Sequence, residues 1–323
     1  MATLHLYFDG SNFASDFFKE NVRHTETSME DCDYIISAKI KFGEVDVKQI
    51  QATLNSYKNT EKKVVFFLCS DYGKTLQTPA NVLLFRTSLY KSIRKSNEFV
   101  LPYIWESFDV PFTPLAKTEQ PIVGFCGNVK NNLGYRQSCI NRFNTEPKIR
   151  TNFIGRHGFW GGKLHEENYT LDFKNNILNS HFTLSNRGRG NFSIRFYQVL
   201  SLGRIPALID TDMLFPFEEE IDWDSLIIKT KTEHNLVNKI LLFWKTKEEA
   251  EIIAIQKRCK AIFDTYFTSQ AYGTKLSELL LKMKSLNFEL KATTETKPIF
   301  PHISEMKYKI NKHINLFKSK LKI

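Results

Sequence analysis

The segment from residue 181 to residue 209 leaves the chain few folds to choose from. Residues 181–185 (HFTLS) read as a strand, 186–191 (NRGRGN) as a glycine-rich loop, 193–202 as a helix and 205–209 (IPALI) as a further strand. Gly203 stands where a helix C-terminus favours a left-handed residue. Two strands joined through a helix by such short connections favour parallel pairing with a right-handed crossover. The run KVVFFLC at 63–69 agrees, because it is too apolar for a half-exposed strand and suits a parallel one covered on both faces. It ends at Ser70-Asp71-Tyr72-Gly73. Residues 4–8, leading into Asp9-Gly10-Ser11-Asn12, together with 81–86 and 99–105, complete a first set of strands. A second set opens with 122–126, just before Gly127-Asn128, and continues at 149–154, with helices expected over 136–143 and 173–179.

Strands separated by helical spacers point to the α/β class rather than a β-sandwich. The chain turns irregular and proline-bearing at 109–119 (Pro111, Pro114), which divides it into a unit at 1–110, a linker at 111–120 and a second unit at 121–265. Residues 266–323 are expected as a helical extension. Two α/β units joined by a linker leave a cleft, and ligands of open sheets bind beyond the carboxyl ends of the strands. With 42% hydrophobic and 25% charged residues, wholesale disorder is excluded. No apolar stretch reaches the ~18 to 20 residues that span a bilayer, and residues 1–8 lack the basic-then-apolar pattern of a leader. Cys32, Cys69, Cys126, Cys139 and Cys259 are scattered and without CxxC spacing, which fits reduced thiols and a cytoplasmic setting. A glycan on the sequon at Asn191 would block the glycine-rich loop.

That loop has the chemistry of an anion site. Glycines between a strand end and a helix start let a ligand approach the backbone, and the first helical amides favour phosphate. Ser193 can cap the helix or donate to the same anion. Arg187 and Arg189 add planar charge, with Arg195 reaching back from the first turn. The loop has neither the GK[ST] ending of a Walker A motif nor a full GxGxxG, so a basic surface turn is the other reading. Asp210-Thr211-Asp212 can hold a divalent metal bridged to a diphosphate or serve as a capped turn, and the turn is favoured. Trp223 is a base-stacking surface or a packing residue.

Taken together, RGRGNFSIRFYQVLSLGRIPALIDTDMLFPFEEEIDW (187–223) resembles the signature region of the exostosin-like glycosyltransferases. The resemblance extends to Val123-Gly124-Phe125-Cys126-Gly127, to Thr151-Asn152-Phe153-Ile154 with Arg156, and to Phe159-Trp160. In the first unit it reaches Arg86-Thr87-Ser88 and Asn97-Glu98-Phe99-Val100-Leu101-Pro102. It implies an α/β protein of two Rossmann-like domains facing a central cleft (GT-B type), with a C-terminal helical extension. It also implies a nucleoside-diphosphate sugar as donor, inverting transfer, and neither a metal nor another cofactor. The donor site it implies comprises Gly127, Arg156, Arg187, Gly188, Gly190, Asn191, Ser193, Arg195 and Gln198, with Arg86, Ser88 and Asn97 towards the acceptor. Gln198 departs from the family's RFxE pattern, where a carboxylate can accept both ribose hydroxyls and a glutamine offers one acceptor oxygen.

Inverting transfer needs a base within hydrogen-bond reach of the acceptor hydroxyl. Asp71, Asp9 and Glu98 are the candidates from the first unit, Asp71 ranked first, and His157 lies on the donor side. In the extension, Ile310, Ile314, Phe317 and Leu321 share a helix face among Lys307, Lys309, Lys312, Lys318, Lys320 and Lys322. Residues 306–323 therefore suit either an anionic membrane surface or packing back onto the protein. The function expected is sugar transfer to a glycan or lipid-linked glycan in bacterial surface polysaccharide or lipopolysaccharide synthesis, at the cytoplasmic face of the membrane and without a nucleic-acid partner. The net charge of +10 keeps a polyanion- or nucleic-acid-binding protein open as the rival, and Gln198 keeps open an inactive family member.

Overall fold

A computed structural model describes residues 3–130, 134–156 and 167–285. It contains two all-parallel sheets. The first carries β1 (Leu4–Phe8), β2 (His24–Glu26), β3 (Tyr34–Ile36), β4 (Lys63–Leu68), β5 (Val82–Arg86) and β6 (Glu98–Val100) in the order β2-β1-β3-β4-β5-β6. The second carries β7 (Ile122–Asn128), β8 (Arg150–Arg156), β9 (Phe182–Leu184), β10 (Ile205–Ile209) and β11 (Ile228–Thr230) in the order β11-β10-β9-β7-β8. In each sheet the first strand lies between the second and the third, so the chain leaves it in opposite directions and opens a crevice at its carboxyl end. Two doubly wound α/β domains are the GT-B arrangement expected from the sequence.

The buried strands owe their place to their composition. Every residue of β5, and all of β4 except Lys63, is buried, with Phe66 registered against Leu84 and Phe67 against Phe85. The strand expected over 99–105 is only Glu98–Val100: the Leu101 amide still reaches the Arg86 carbonyl at 3.0 Å, and Pro102 then has no N–H to continue the ladder. The three-residue strands β2, β3 and β11 were not singled out in the sequence, being too short for a hydrophobic period to show.

Helix α1 (Phe13–Asn21) starts at Asn12, whose side chain accepts from the Ala14 and Ser15 amides. In the second domain, α3 (Tyr135–Asn144) and α4 (Glu167–Leu178) follow β7 and β8, as α2 (Val47–Asn55) follows β3 in the first. Helix α5 (Ile194–Ser201) ends at Gly203 (φ 62°), where the Gly203 and Arg204 amides close on the Leu200 and Val199 carbonyls. Helices α6 (Glu233–Thr246) and α7 (Glu249–Tyr266) cover the second sheet. Helix α8 (Ser269–Ser285) then returns to the first domain and lies on α1. Gly273 makes that crossing possible, since a Cβ there would sit 2.2 Å from the Asn21 carbonyl oxygen. The Tyr34 hydroxyl donates to the Leu280 carbonyl at 2.8 Å. Phe196, Phe215, Trp223, Phe267 and Tyr272 join one continuous core with Phe17, Phe18 and Phe67 of the first domain. Trp223 is a packing residue, 3% exposed, with its indole N–H on the Pro216 carbonyl. No described helix is long and apolar enough to cross a membrane. The segment 306–323 lies outside the described residues.

Candidate functional site

The carboxyl ends of the two sheets face each other, and the glycine-rich loop lies between them. Its residues tie the domains together. The Gly190 amide donates to the Asp71 carboxylate at 3.1 Å and the Asn191 amide to the Ser88 hydroxyl at 2.8 Å. The Asn191 side chain donates to the Leu89 and Asp212 carbonyls and accepts from the Thr211 hydroxyl at 2.7 Å. It is 1% exposed, which leaves no room for a glycan in this fold. Arg187 donates to the Arg189 and Gly190 carbonyls within its own loop and to the Tyr90 hydroxyl of the first domain at 2.7 Å. Gly190 is confined by Phe192 and Asp71, which a Cβ would meet at 2.6 and 2.8 Å.

Two further arginines lie one step deeper, at the carboxyl end of β7. The Arg195 guanidinium donates to the Cys126 carbonyl at 2.7 Å and the Leu184 carbonyl at 3.3 Å, over the Phe125 ring at 4.4 Å. Gly127 (φ 139°) lets it in: a Cβ there would stand 2.7 Å from Arg195 Nη2. Arg136, from the first turn of α3, donates to the Asn128 carbonyl at 3.0 Å. Its Nη2 faces Gly188 of the glycine-rich loop, 3.5 Å from where a Cβ would be. Among the described residues neither arginine has a carboxylate partner, and the Nε of each is buried without a hydrogen bond. Burial, with repulsion from Arg136, pushes the Arg195 guanidinium down to about 9, and burial also lowers Arg136. At about 9, Arg195 remains cationic at neutral pH. A buried and a half-buried positive charge thus lie near each other at the β7–β9 crevice, without a carboxylate among the described residues. Arg136 was not singled out from the sequence. The available signal was its place just after Gly134 at the start of the helix that follows β7, the counterpart of Arg195 in the helix after β9.

The remaining sequence candidates are dispersed. Arg156 pairs with Asp172 at 3.2 Å and lies over the Tyr169 ring. Ser193 occupies the N-cap position of α5 without a capping bond from its side chain, and Gln198 is buried on the same helix. Arg86 and Glu98 form a buried ion pair at 3.1 Å inside the first domain. Asn97 donates to the Pro79 and Val82 carbonyls. Asp9 accepts from the Ala38 amide at 2.6 Å and from the Tyr57 hydroxyl, with Lys39 at 3.4 Å. Of the three acids proposed as base, the exposed Asp71 is the one at the glycine-rich loop. Asp210 pairs with Lys231 and accepts from the Asp212 amide, while Asp212 accepts from the Ser92 amide and hydroxyl across the interface. The triplet is a turn that latches the two domains, and no cluster of metal-ligating side chains occurs among the described residues. His157, Phe159 and Trp160 lie outside them.

The fold is that of a two-domain α/β protein with two arginines, Arg136 and Arg195, at the crevice of its second sheet. Comparison with known proteins gives the relationship. Exostosin-1 of Drosophila melanogaster is 30% identical over 98 residues, which are 30% of this chain and 13% of that protein. The exostosin-1 homologue of Caenorhabditis elegans is 28% identical over 115 residues, 35% of this chain and 30% of that protein. On that segment the chain is similar to the exostosin-1 proteins, and it spans less than a third of the length of these relatives. No family model matches it. Among solved structures, HepE of Anabaena in complex with UDP aligns over 87% of this chain and 100% of its own at 10% identity, with a TM-score of 0.48. A glycosyltransferase from Rickettsia africae aligns over 87% and 90%, also at 10% identity, with a TM-score of 0.44. So distant a likeness fixes no residue and no ligand for this chain.

Proposed function

We propose that the chain is an inverting glycosyltransferase. It takes a sugar from a nucleoside-diphosphate sugar and places it on a glycan acceptor hydroxyl, without a bound metal. The observation that carries this reading is the Arg136–Arg195 pair in the crevice of the second sheet. Removing a positive charge from water without a carboxylate partner is costly, and a diphosphate entering the crevice compensates both arginines, which have only carbonyl partners among the described residues. In the transition state the bond from the anomeric carbon to the diphosphate breaks, and charge grows on the leaving oxygens. Donors already in place stabilise that charge without reorganisation. Gly127 makes room for the Arg195 guanidinium, and Gly188 lies against that of Arg136. Transfer in a single displacement inverts the anomeric centre, with the acceptor entering from the side of the first domain.

The partial likeness to the exostosin-1 proteins supports the reaction class. The acceptor proposed is a glycan or lipid-linked glycan of bacterial surface polysaccharide or lipopolysaccharide, reached from the cytoplasmic face of the membrane. The test is calorimetric titration with UDP, GDP and TDP and their sugars. Saturable binding to at least one of them is expected, with affinity reduced about 10- to 100-fold in Arg136→Ala and in Arg195→Ala, the weight of one charge-assisted hydrogen-bonding group. A wild-type chain that binds none of these nucleotides would end this reading.

A further inference from the structure

The transfer proposed above needs a group to receive the acceptor's proton. Asp9 and Glu98 are held by Lys39 and Arg86, and Asp71 is exposed with one oxygen on the Gly190 amide. A fourth carboxylate stands differently. Glu106 is half-buried on the segment that leaves the first domain, its Oε1 accepts from the Tyr103 hydroxyl at 3.3 Å, and its Oε2 is enclosed without a partner.

Both ends of that segment are anchored at the cleft. Tyr103 stacks on Phe192, the residue after the glycine-rich loop, at 6.0 Å and 18°. Phe108 packs against Phe173, whose ring lies 5.5 Å from the Arg195 guanidinium, and its amide donates to the Ser201 hydroxyl of α5. Glu106 therefore sits between the first domain and the face that carries the anion site. Beside it runs an aromatic row. Trp105 contacts Tyr103, Phe13 and Phe42 at 5.6, 5.9 and 5.4 Å, and Phe42 is 45% exposed although its ring is part of the cluster. An open aromatic face next to a carboxylate is the chemistry that receives the apolar C–H face of a pyranose while its hydroxyls find polar partners.

We propose that Glu106 is the general base of the transfer and that Trp105 and Phe42 form the shelf on which the acceptor sugar lies. This rests on the glycosyltransferase reading above. The acceptor hydroxyl gives its proton to Glu106 Oε2 as its oxygen bonds to the anomeric carbon. The bond from that carbon to the diphosphate breaks, and the electron pair leaves with the nucleoside diphosphate between Arg136 and Arg195. The enclosed Oε2 lacks a donor, and the incoming hydroxyl supplies one. Burial raises the Glu106 carboxyl above the usual carboxylate range, opposed by the Tyr103 hydroxyl, and Asp71 and Cys69 are the other titratable groups gathered around Tyr103. A carboxylate raised in this way is a stronger base than an ordinary glutamate.

The experiment uses the full chain with UDP- and GDP-sugars, water and methyl glycosides as acceptors, and release of nucleoside diphosphate as the readout. Glu106→Gln is expected to bind nucleoside diphosphate within about twofold of wild type and to lower kcat about 100-fold or more. The acid limb of the wild-type pH profile is expected above the range of an ordinary glutamate and absent from the variant. Trp105→Ala is expected to raise the acceptor KM about tenfold while donor affinity stays unchanged. A second measurement does not depend on turnover. A carboxylate raised by burial weakens the fold as pH rises through its folded value, so Glu106→Gln is expected to unfold at a higher temperature than wild type at pH 8. The inference is overturned if donor binding is intact and Glu106→Gln turns over within threefold of wild type, or if it unfolds at a lower temperature at pH 8. Failure of the wild type to bind any nucleotide overturns the donor site, and the base assignment falls with it.

Discussion

Arg195→Met separates a ligand-binding arginine from a structural one more sharply than any other single change. In the free protein Arg195 has two carbonyl partners and two aromatic rings, but no carboxylate among the described residues. Its guanidinium is pushed from 12.5 to about 9, chiefly by burial. At about 1.4 kcal/mol per unit, holding that charge costs the fold on the order of 5 kcal/mol. The interactions lost with it, two charge-assisted hydrogen bonds and a cation–π contact, are together worth about 3 to 5 kcal/mol. Methionine fills much of the same apolar space. The two sides nearly cancel, so the free energy of urea unfolding is expected within about 1 to 2 kcal/mol of wild type. An arginine whose buried salt bridge held the fold would lose about 3 to 5 kcal/mol. Nucleoside-diphosphate affinity is expected to fall at least tenfold in the same variant. A loss of more than about 3 kcal/mol with binding intact would refute the reasoning, because Arg195 would then be holding the fold and not awaiting an anion.

Glu98→Gln removes the one carboxylate partner that the fully buried Arg86 has among the described residues, so it is expected to destabilise the first domain by about 3 kcal/mol or more in urea unfolding; an unchanged midpoint would contradict this. His181 accepts from the Ile122 amide at Nδ1 and donates from Nε2 to the Ala116 carbonyl, and burial, with Arg204 nearby, lowers its pKa. Because the folded value lies below the unfolded one, the unfolded chain takes the proton first. Stability is then expected to fall as pH drops below about 6.5, with a flatter slope in His181→Asn measured by urea unfolding at several pH values.

Much of the fold could be read because its central strands are covered on both faces. KVVFFL and VLLFR have no polar alternation to confuse them with half-exposed strands. The β3 strand, YII, is as buried but only three residues long, and nothing local distinguishes it from a helix turn. The site was harder. Arg187 and Arg195 look alike in sequence, both basic and both in the loop-to-helix segment that follows a strand. What separates them is Tyr90, which takes Arg187 from a distant part of the chain, and the β7 carboxyl end, which takes Arg195. Arg136 resembles any solvated first-turn residue until Gly188 closes over it. Glu106 follows a tryptophan in a segment without regular structure, and only the packing of Tyr103 and Phe108 on the second domain brings it to the cleft.

The return of α8 to the first domain has a consequence for taking the protein apart. The chain crosses between the sheets once at residues 101–121 and again at residues 267–269. A cut in the linker alone therefore leaves the amino-terminal piece without the helix that covers α1, and the carboxyl-terminal piece with an unsheltered helix bearing Tyr272, Leu276 and Leu280. Exchanging donor-binding halves between relatives calls for junctions at both crossings, so that residues 269–285 travel with the first domain. A single-junction chimera puts the mismatch at Gly273, where the Asn21 backbone leaves no space for any larger side chain.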